Sequence, residues 1–158
     1  MWVPAKWLTA LSAALLFAGS ISADEPTAPP LEPTKIADWE AFDRIVNNQG
    51  LSVQWLDFDE TPRGKVEVVF ENRTLTLQGE QRATDGRAHV TLSGAIVRVD
   101  ADAFIFRGNI IIADTPDEGR YCSQTKEWRF AITQNRKYWR LRDFEWCDGL
   151  TDYIDIYF

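Results

Sequence analysis

From Leu51 to Phe158 the apolar residues recur with a period of two, in short runs broken by turn residues, and no helix-length stretch intervenes. Val66, Val68 and Phe70 alternate with Lys65, Glu67 and Glu71; beyond Asn72-Arg73, Leu75 and Leu77 alternate with Thr74, Thr76 and Gln78. A two-residue loop at Asn72-Arg73 puts Phe70 opposite Leu75 and Val68 opposite Leu77, all four on one face, as a true hairpin requires. Further runs follow at Ala88–Val99, Ala103–Ala113, Glu127–Thr133, Lys137–Phe144 and Thr151–Phe158, with Asp100-Ala101-Asp102 and Gln134-Asn135-Arg136 as turns. Eight or nine strands in succession predict a mainly β fold. An antiparallel meander this long forms a curled sheet or small barrel. Gly94 and Gly108 interrupt the two longest runs and read as bulges or sharp bends.

One helix precedes this pattern. Ile36, Trp39, Phe42, Ile45 and Val46 recur at helical spacing, with Thr34 as candidate N-cap and Gly50 as a left-handed stop, predicting a helix over 36–48. Its Trp39–Phe42–Val46 stripe is expected to face the core. Upstream, residues 1–23 read as a secretory signal: Lys6, an apolar run Trp7–Phe17 and small residues ending at Ala23. The run is shorter than the ~20 residues a membrane span takes. Residues 24–34 hold four prolines and read as a stiff linker, leaving 35–158 as a single β-rich domain with its N-terminal helix. The expected location is periplasmic or secreted.

That compartment gives the cysteines their meaning. Cys122 and Cys147 are the only two in 158 residues and are expected to be bridged. Two cysteines and one histidine exclude a zinc cluster or an iron–sulfur centre, and no cofactor motif is present. A net charge of −7 argues against a general nucleic-acid binder.

Catalytic signatures are missing too. His89, the sole histidine, has no acid near it in sequence and no G-x-S-x-G elbow accompanies it. The acid pairs Asp57/Asp59, Asp100/Asp102 and Asp114/Asp117 sit where turns put acids, and none matches a calcium loop. No catalytic residue is assigned and the expectation is a non-enzymatic protein.

The C-terminal third is polarised in charge. Residues 120–142 carry a local +6 and residues 143–158 a local −5, with aromatics interleaved. Pairing Ile132 with Lys137 buries Trp128, Phe130 and Trp139. It sets Lys126 against Asp143 and Glu127 against Arg142, and leaves Arg129 opposite Arg140 with Tyr138 on the same face. Two facing guanidiniums call for an anion or a carboxylate between them, supplied by Asp152 or Asp155 or by a ligand. If one of those acids supplies it, the patch is structural; if neither does, Arg129, Tyr138 and Arg140 are the candidate binding residues for an anionic envelope component.

The ending Cys147-Asp148-Gly149-Leu150-Thr151-Asp152-Tyr153-Ile154-Asp155-Ile156-Tyr157-Phe158, preceded by Lys137-Tyr138-Trp139-Arg140-Leu141, resembles that of small exported proteobacterial proteins of unassigned activity. The resemblance implies a bacterial envelope and brings no catalytic residue. Periplasmic lysozyme inhibitors offer a second comparison, but Ser93-Gly94 is followed here by Ala95-Ile96-Val97 instead of their tyrosine. The leading expectation is an envelope protein that binds a small amphiphilic molecule, an anionic envelope component or a partner protein. The rivals are a periplasmic inhibitor of a basic hydrolase such as lysozyme, which would make the partner a basic envelope protein, and a carboxylate-dependent hydrolase.

Overall fold

A computed structural model describes residues 31–58 and 61–158. The elements are β1 (Lys35–Ile36), α1 (Trp39–Val46), β2 (Leu51–Val53), α2 (Gln54–Phe58), β3 (Lys65–Glu71), β4 (Thr74–Arg82), β5 (His89–Val99), β6 (Ala103–Ala113), β7 (Tyr121–Ala131), β8 (Tyr138–Leu141) and β9 (Ile154–Tyr157). The expected signal, most of the linker and Asp59 lie outside the described residues.

The meander forms in the order β2-β9-β8-β7-β6-β5-β4-β3, antiparallel throughout, with β1 added in parallel to the end of β5. Leu51 and Gly64 exchange both backbone hydrogen bonds, at 2.8 and 3.2 Å, which brings the two ends of the sheet together. The result is an antiparallel sheet nearly closed as a barrel. The β3–β4 hairpin has the expected register, Phe70 to Leu75 and Val68 to Leu77. Asn72 and Arg73 turn it with φ of 50° and 65°, the left-handed pair that suits a two-residue loop.

Gly94 and Gly108 are not bulges: they face each other in regular register, and the irregularity falls between Ile96 and Arg98. Their role is close approach. A Cβ on Gly94 would lie 2.3 Å from the Arg107 carbonyl oxygen, and one on Gly108 would meet the Phe106 ring at 2.5 Å. The curl of the sheet at this point therefore excludes a side chain on either residue.

The inward face is continuous and apolar. Trp128, Trp139, Phe104, Phe106 and Phe130 are its largest fully buried side chains. Phe104 stacks on Phe130 at 5.0 Å and meets Trp139 edge-on at 5.6 Å, while Trp128 donates its indole N–H to the Gly108 carbonyl at 2.9 Å. Such a set fills a barrel of this size with side chains.

The helix differs from expectation. It spans eight residues, capped by Asp38, whose carboxylate accepts from the Ala41 N–H at 2.7 Å. Thr34 is instead buried in the barrel wall, donating to the Ile96 carbonyl at 2.6 Å and accepting from the Leu75 N–H at 2.8 Å. Ala41 and Ile45, one turn apart, face the core. Trp39 is 61% exposed and Val46 37%, because a helix advancing 100° per residue turns both away from that face. Only Phe42 of the expected stripe reaches the core, packing edge-on against Phe70 at 5.2 Å. A second departure is α2, a five-residue helix inside what reads as unbroken strand pattern.

Cys122 and Cys147 form the expected disulfide, closing a separation of 25 residues, for which chain entropy gives about 3.5 kcal/mol of stabilisation. It anchors the segment between β8 and β9, whose Trp146 packs edge-on against Trp128 at 5.2 Å.

Substituting Gly94→Ala should lower stability by about 1–3 kcal/mol, since the methyl group must displace backbone. Thr91→Ala, on the outer face of the same strand, should change it by less than about 0.5 kcal/mol. Urea unfolding followed by tryptophan fluorescence measures both; an unaltered Gly94→Ala midpoint would refute the packing argument.

Candidate functional site

Two charged clusters stand on the C-terminal half, and they differ in what their side chains have left to offer. The first is closed. Arg120, just before β7, donates to both oxygens of Asp148 at 2.8 Å and to Asp152 at 2.9 and 3.0 Å. Asp152 is fully buried and also accepts the Trp55 indole N–H at 2.8 Å. Arg120 gives a further bond to the Thr115 carbonyl at 3.0 Å, so it spends its donors inside the protein. Its guanidinium holds the Asp148 carboxyl down at about 2, and the two carboxylates raise its own pKa. The cluster locks α2, the start of β7 and the segment before β9 together.

The second cluster lies on the outer wall of β8 and β9. Arg140 and Asp155 are cross-strand partners, the Arg140 Nε and Nη2 donating to the two carboxylate oxygens at 2.7 and 2.6 Å. Around them guanidiniums and rings alternate. Arg142 lies 5.7 Å from the Phe144 ring, Phe144 meets Tyr153 at 5.1 Å, and Arg140 sits 4.0 Å over Tyr153 and 5.2 Å from Tyr138. Arg136 flanks Tyr138 at 5.7 Å, Tyr138 meets Tyr157 at 5.4 Å, and Arg63 lies 3.6 Å over Tyr157. The four rings are half-buried and the end arginines, Arg63 and Arg142, are exposed. Burial pushes the Asp155 carboxyl and the Tyr157 hydroxyl up, against the pull of Arg140 on the first and the Ser52 hydroxyl, 2.9 Å away, on the second.

The candidate residues separate on this wall. Tyr138 and Arg140 are at its centre, whereas Arg129 is exposed on β7 and faces Arg142, whose N–H donates to the Arg129 carbonyl at 2.8 Å. The β7–β8 register is two residues away from expectation: Phe130 pairs with Leu141 and Ala131 with Arg140. Ile132 cannot pair with Lys137, since its N–H donates to the Asp102 carbonyl at 2.8 Å and the Lys137 carbonyl takes the Phe158 N–H at 3.2 Å. A shift of two keeps every side chain on its face, so Trp128, Phe130 and Trp139 are buried as expected. Arg129 and Arg140 are not opposed, and Asp155 supplies the carboxylate for Arg140, so on the criterion set by the sequence that pair is structural and only the groups around it stay open to a ligand. Lys126 pairs with Asp143 as expected, but Glu127 bonds Arg107 at 2.7 Å instead of Arg142. Arg63, Arg136, Arg142, Phe144, Tyr153 and Tyr157 were not among the candidates. Outward parity on β8 and β9 marks Arg142, Tyr153 and Tyr157 from sequence, but only the fold brings Arg63 to them.

The remaining candidates stay apart. His89 places Nδ1 2.7 Å from the Arg87 carbonyl oxygen, Asp100 is bonded to Arg98, and Asp114 accepts from the Gly119 N–H. Sulfur and carboxylate atoms of Cys122, Cys147 and Asp148 lie within 4.8 Å of one another, but the disulfide consumes the thiolates a metal would bind. A surface groove of about 440 Å³, lined by residues such as Asn48, Gly50, Gly64, Lys65 and Glu67, borders the Arg63–Tyr157 end of the second cluster, where the Tyr157 N–H donates to the Gly50 carbonyl at 2.9 Å.

Arg120→Met should cost about 3–5 kcal/mol, because it takes the cation away from the buried Asp152. Adding Asp152→Asn should recover part of the loss. A carboxyl held below its ordinary pKa stabilises the folded state at neutral pH and stops doing so as pH falls from 3.8 toward about 2. Asp148→Asn should therefore lower the Tm at neutral pH and flatten its fall across that window; calorimetric scans against pH check both.

Comparison with known proteins places this architecture. The model of the PM1083 family matches residues 33–158. The uncharacterized protein PM1083 of Pasteurella multocida (strain Pm70) is 32% identical over 141 residues, covering 88% of this chain and 86% of that protein. No solved structure matches. A match that takes in the whole barrel, from the buried Thr34 to the last residue of the chain, makes this protein a member of the PM1083 family.

Proposed function

We propose that this protein is an exported, non-enzymatic binding module of the bacterial envelope that engages its partner through the outer wall of β8 and β9. The observation that carries this reading is the alternation of guanidiniums and half-buried rings on that wall, around the Arg140–Asp155 pair. Tyrosine and arginine are the residues that dominate recognition surfaces, since they offer large contact area and directed donors together. The barrel interior supports the same choice. Five fully buried aromatic side chains fill it, leaving an amphiphile the outside of the protein.

Export rests on the N-terminal sequence and on the Cys122–Cys147 disulfide, which fits an oxidising compartment. Among the described residues no helix is long and apolar enough to cross a membrane. The non-enzymatic reading rests on the charged groups themselves. Arg120, Asp148, Asp152, Arg140 and Asp155 satisfy one another, and a general acid or base needs a proton-transfer position open to substrate.

Two measurements test this reading. Solvent extraction and mass spectrometry of protein purified from the envelope should recover no ligand at one molecule per chain. A photo-crosslinking phenylalanine analogue in place of Tyr153 should yield an adduct in intact cells, and the same analogue in place of Thr91, on the outer face of β5, should not. A stoichiometric amphiphile, or equal crosslinking from both positions, would contradict the proposal.

A further inference from the structure

We propose that the β8–β9 wall binds an acidic glycan, a chain of sugars bearing a carboxylate or phosphate at intervals. This inference rests on the reading of that wall as the binding surface and adds the chemistry of what it binds. The first observation is charge. The chain carries a net −7, yet Arg63, Arg136 and Arg142 have no carboxylate at salt-bridge distance among the described residues. Arg136 donates only to neutral acceptors, Thr133 at 3.4 Å and Gln134 at 2.9 Å. An exposed acid on this side, Asp57, acts toward Tyr157 and Asp155, at the Arg63 end. A guanidinium stacked on a ring, as Arg63 is 3.6 Å over Tyr157, keeps its in-plane N–H groups for carboxylate and phosphate oxygens.

Spacing supplies the second observation. Arg136, Tyr138, Arg140 and Arg142 occupy alternate positions, and Arg136 and Arg142 flank the two ends of β8, their Cα atoms at most about 20 Å apart. Arg140 between them is neutralised by Asp155. A single small anion reaches one end only; a chain with repeated charges reaches both. The third observation concerns the backbone. β8 and β9 each have a hydrogen-bonded neighbour on both sides, in the order β2-β9-β8-β7, so a peptide cannot join this wall by adding a strand. Recognition has to run through side chains. Those between the charged ends are tyrosine hydroxyls and ring edges, partners for a polyhydroxylated ligand.

The test uses calorimetric titration of the full mature protein with an oligogalacturonate of about ten sugars, chosen to exceed the distance between Arg136 and Arg142. A neutral galactose oligomer and an oligoglutamate of equal charge serve as comparisons. The acidic glycan should bind, more tightly at low than at physiological salt, and the neutral one should not. The double variant Arg136→Gln/Arg142→Gln should bind at least about tenfold more weakly with its Tm unchanged, while Arg73→Gln, at the β3–β4 turn, should bind as the parent does. Absence of binding at low salt, equal weakening in Arg73→Gln, or unchanged binding by the double variant would overturn the inference. Tighter binding of oligoglutamate would assign the wall to acidic peptide and overturn it too. If the glycan fails while crosslinking from Tyr153 persists, the outer-wall reading stands and the glycan does not.

Discussion

The fold depends on how far its sheet can curl. A meander with one apolar face has to bury that face against itself, and the backbones must come close where the curvature is greatest. Gly94 and Gly108 meet at such a place, where a Cβ on either would fall within 2.3 Å of the opposing strand's carbonyl oxygen. The Phe106 ring occupies the volume the missing side chain leaves, and the Trp128 indole takes the Gly108 carbonyl. Curvature, aromatic filling and hydrogen bonding are thus one arrangement. Its consequence for the proposed function is direct, since a barrel packed with tryptophan and phenylalanine leaves the outer wall as the surface to which binding is assigned.

That wall is held in place from the end of the barrel. The segment between β8 and β9 carries Phe144 and leads into Tyr153, and both belong to the alternation of rings and guanidiniums. Three tethers fix the segment: the disulfide to Cys122, Trp146 against Trp128, and Asp152 under Arg120 and Trp55. A buried ion pair of this kind adds little net stability against an apolar replacement, but losing one partner is costly, so it fixes geometry. The closed Arg120 cluster and the open Arg140 cluster are therefore parts of one construction, the first positioning what the second presents.

Local information was legible in the sequence and closure was not. The register of the β3–β4 hairpin follows from Asn72-Arg73 and strict alternation, and the extents of the long β5 and β6 strands follow from theirs, while the shift between Ile96 and Arg98 does not. The β7–β8 pairing was off by two residues because its decisive bonds run to other elements: Ile132 to Asp102, Lys137 to Phe158. Helix α1 was placed correctly and faced wrongly. Its apolar residues outnumber the space at the sheet edge, which admits Ala41 and Ile45 and leaves Trp39 outside. Among site residues, Tyr138 and Arg140 were accessible through parity alone. Arg63 was not, since it reaches Tyr157 only through the closure of the sheet at Leu51 and Gly64.

The claim that binding belongs to the outer wall and not to the interior is open to a direct spectroscopic measurement. Nitrogen-15 NMR resolves arginine Nε–H and tryptophan indole N–H signals separately, so one titration with the acidic oligosaccharide reads both compartments. The account predicts shifts in Arg136, Arg140 and Arg142, with the buried Trp128 and Trp139 indoles unmoved. Shifts of Trp128 and Trp139 with the wall arginines unchanged would contradict it.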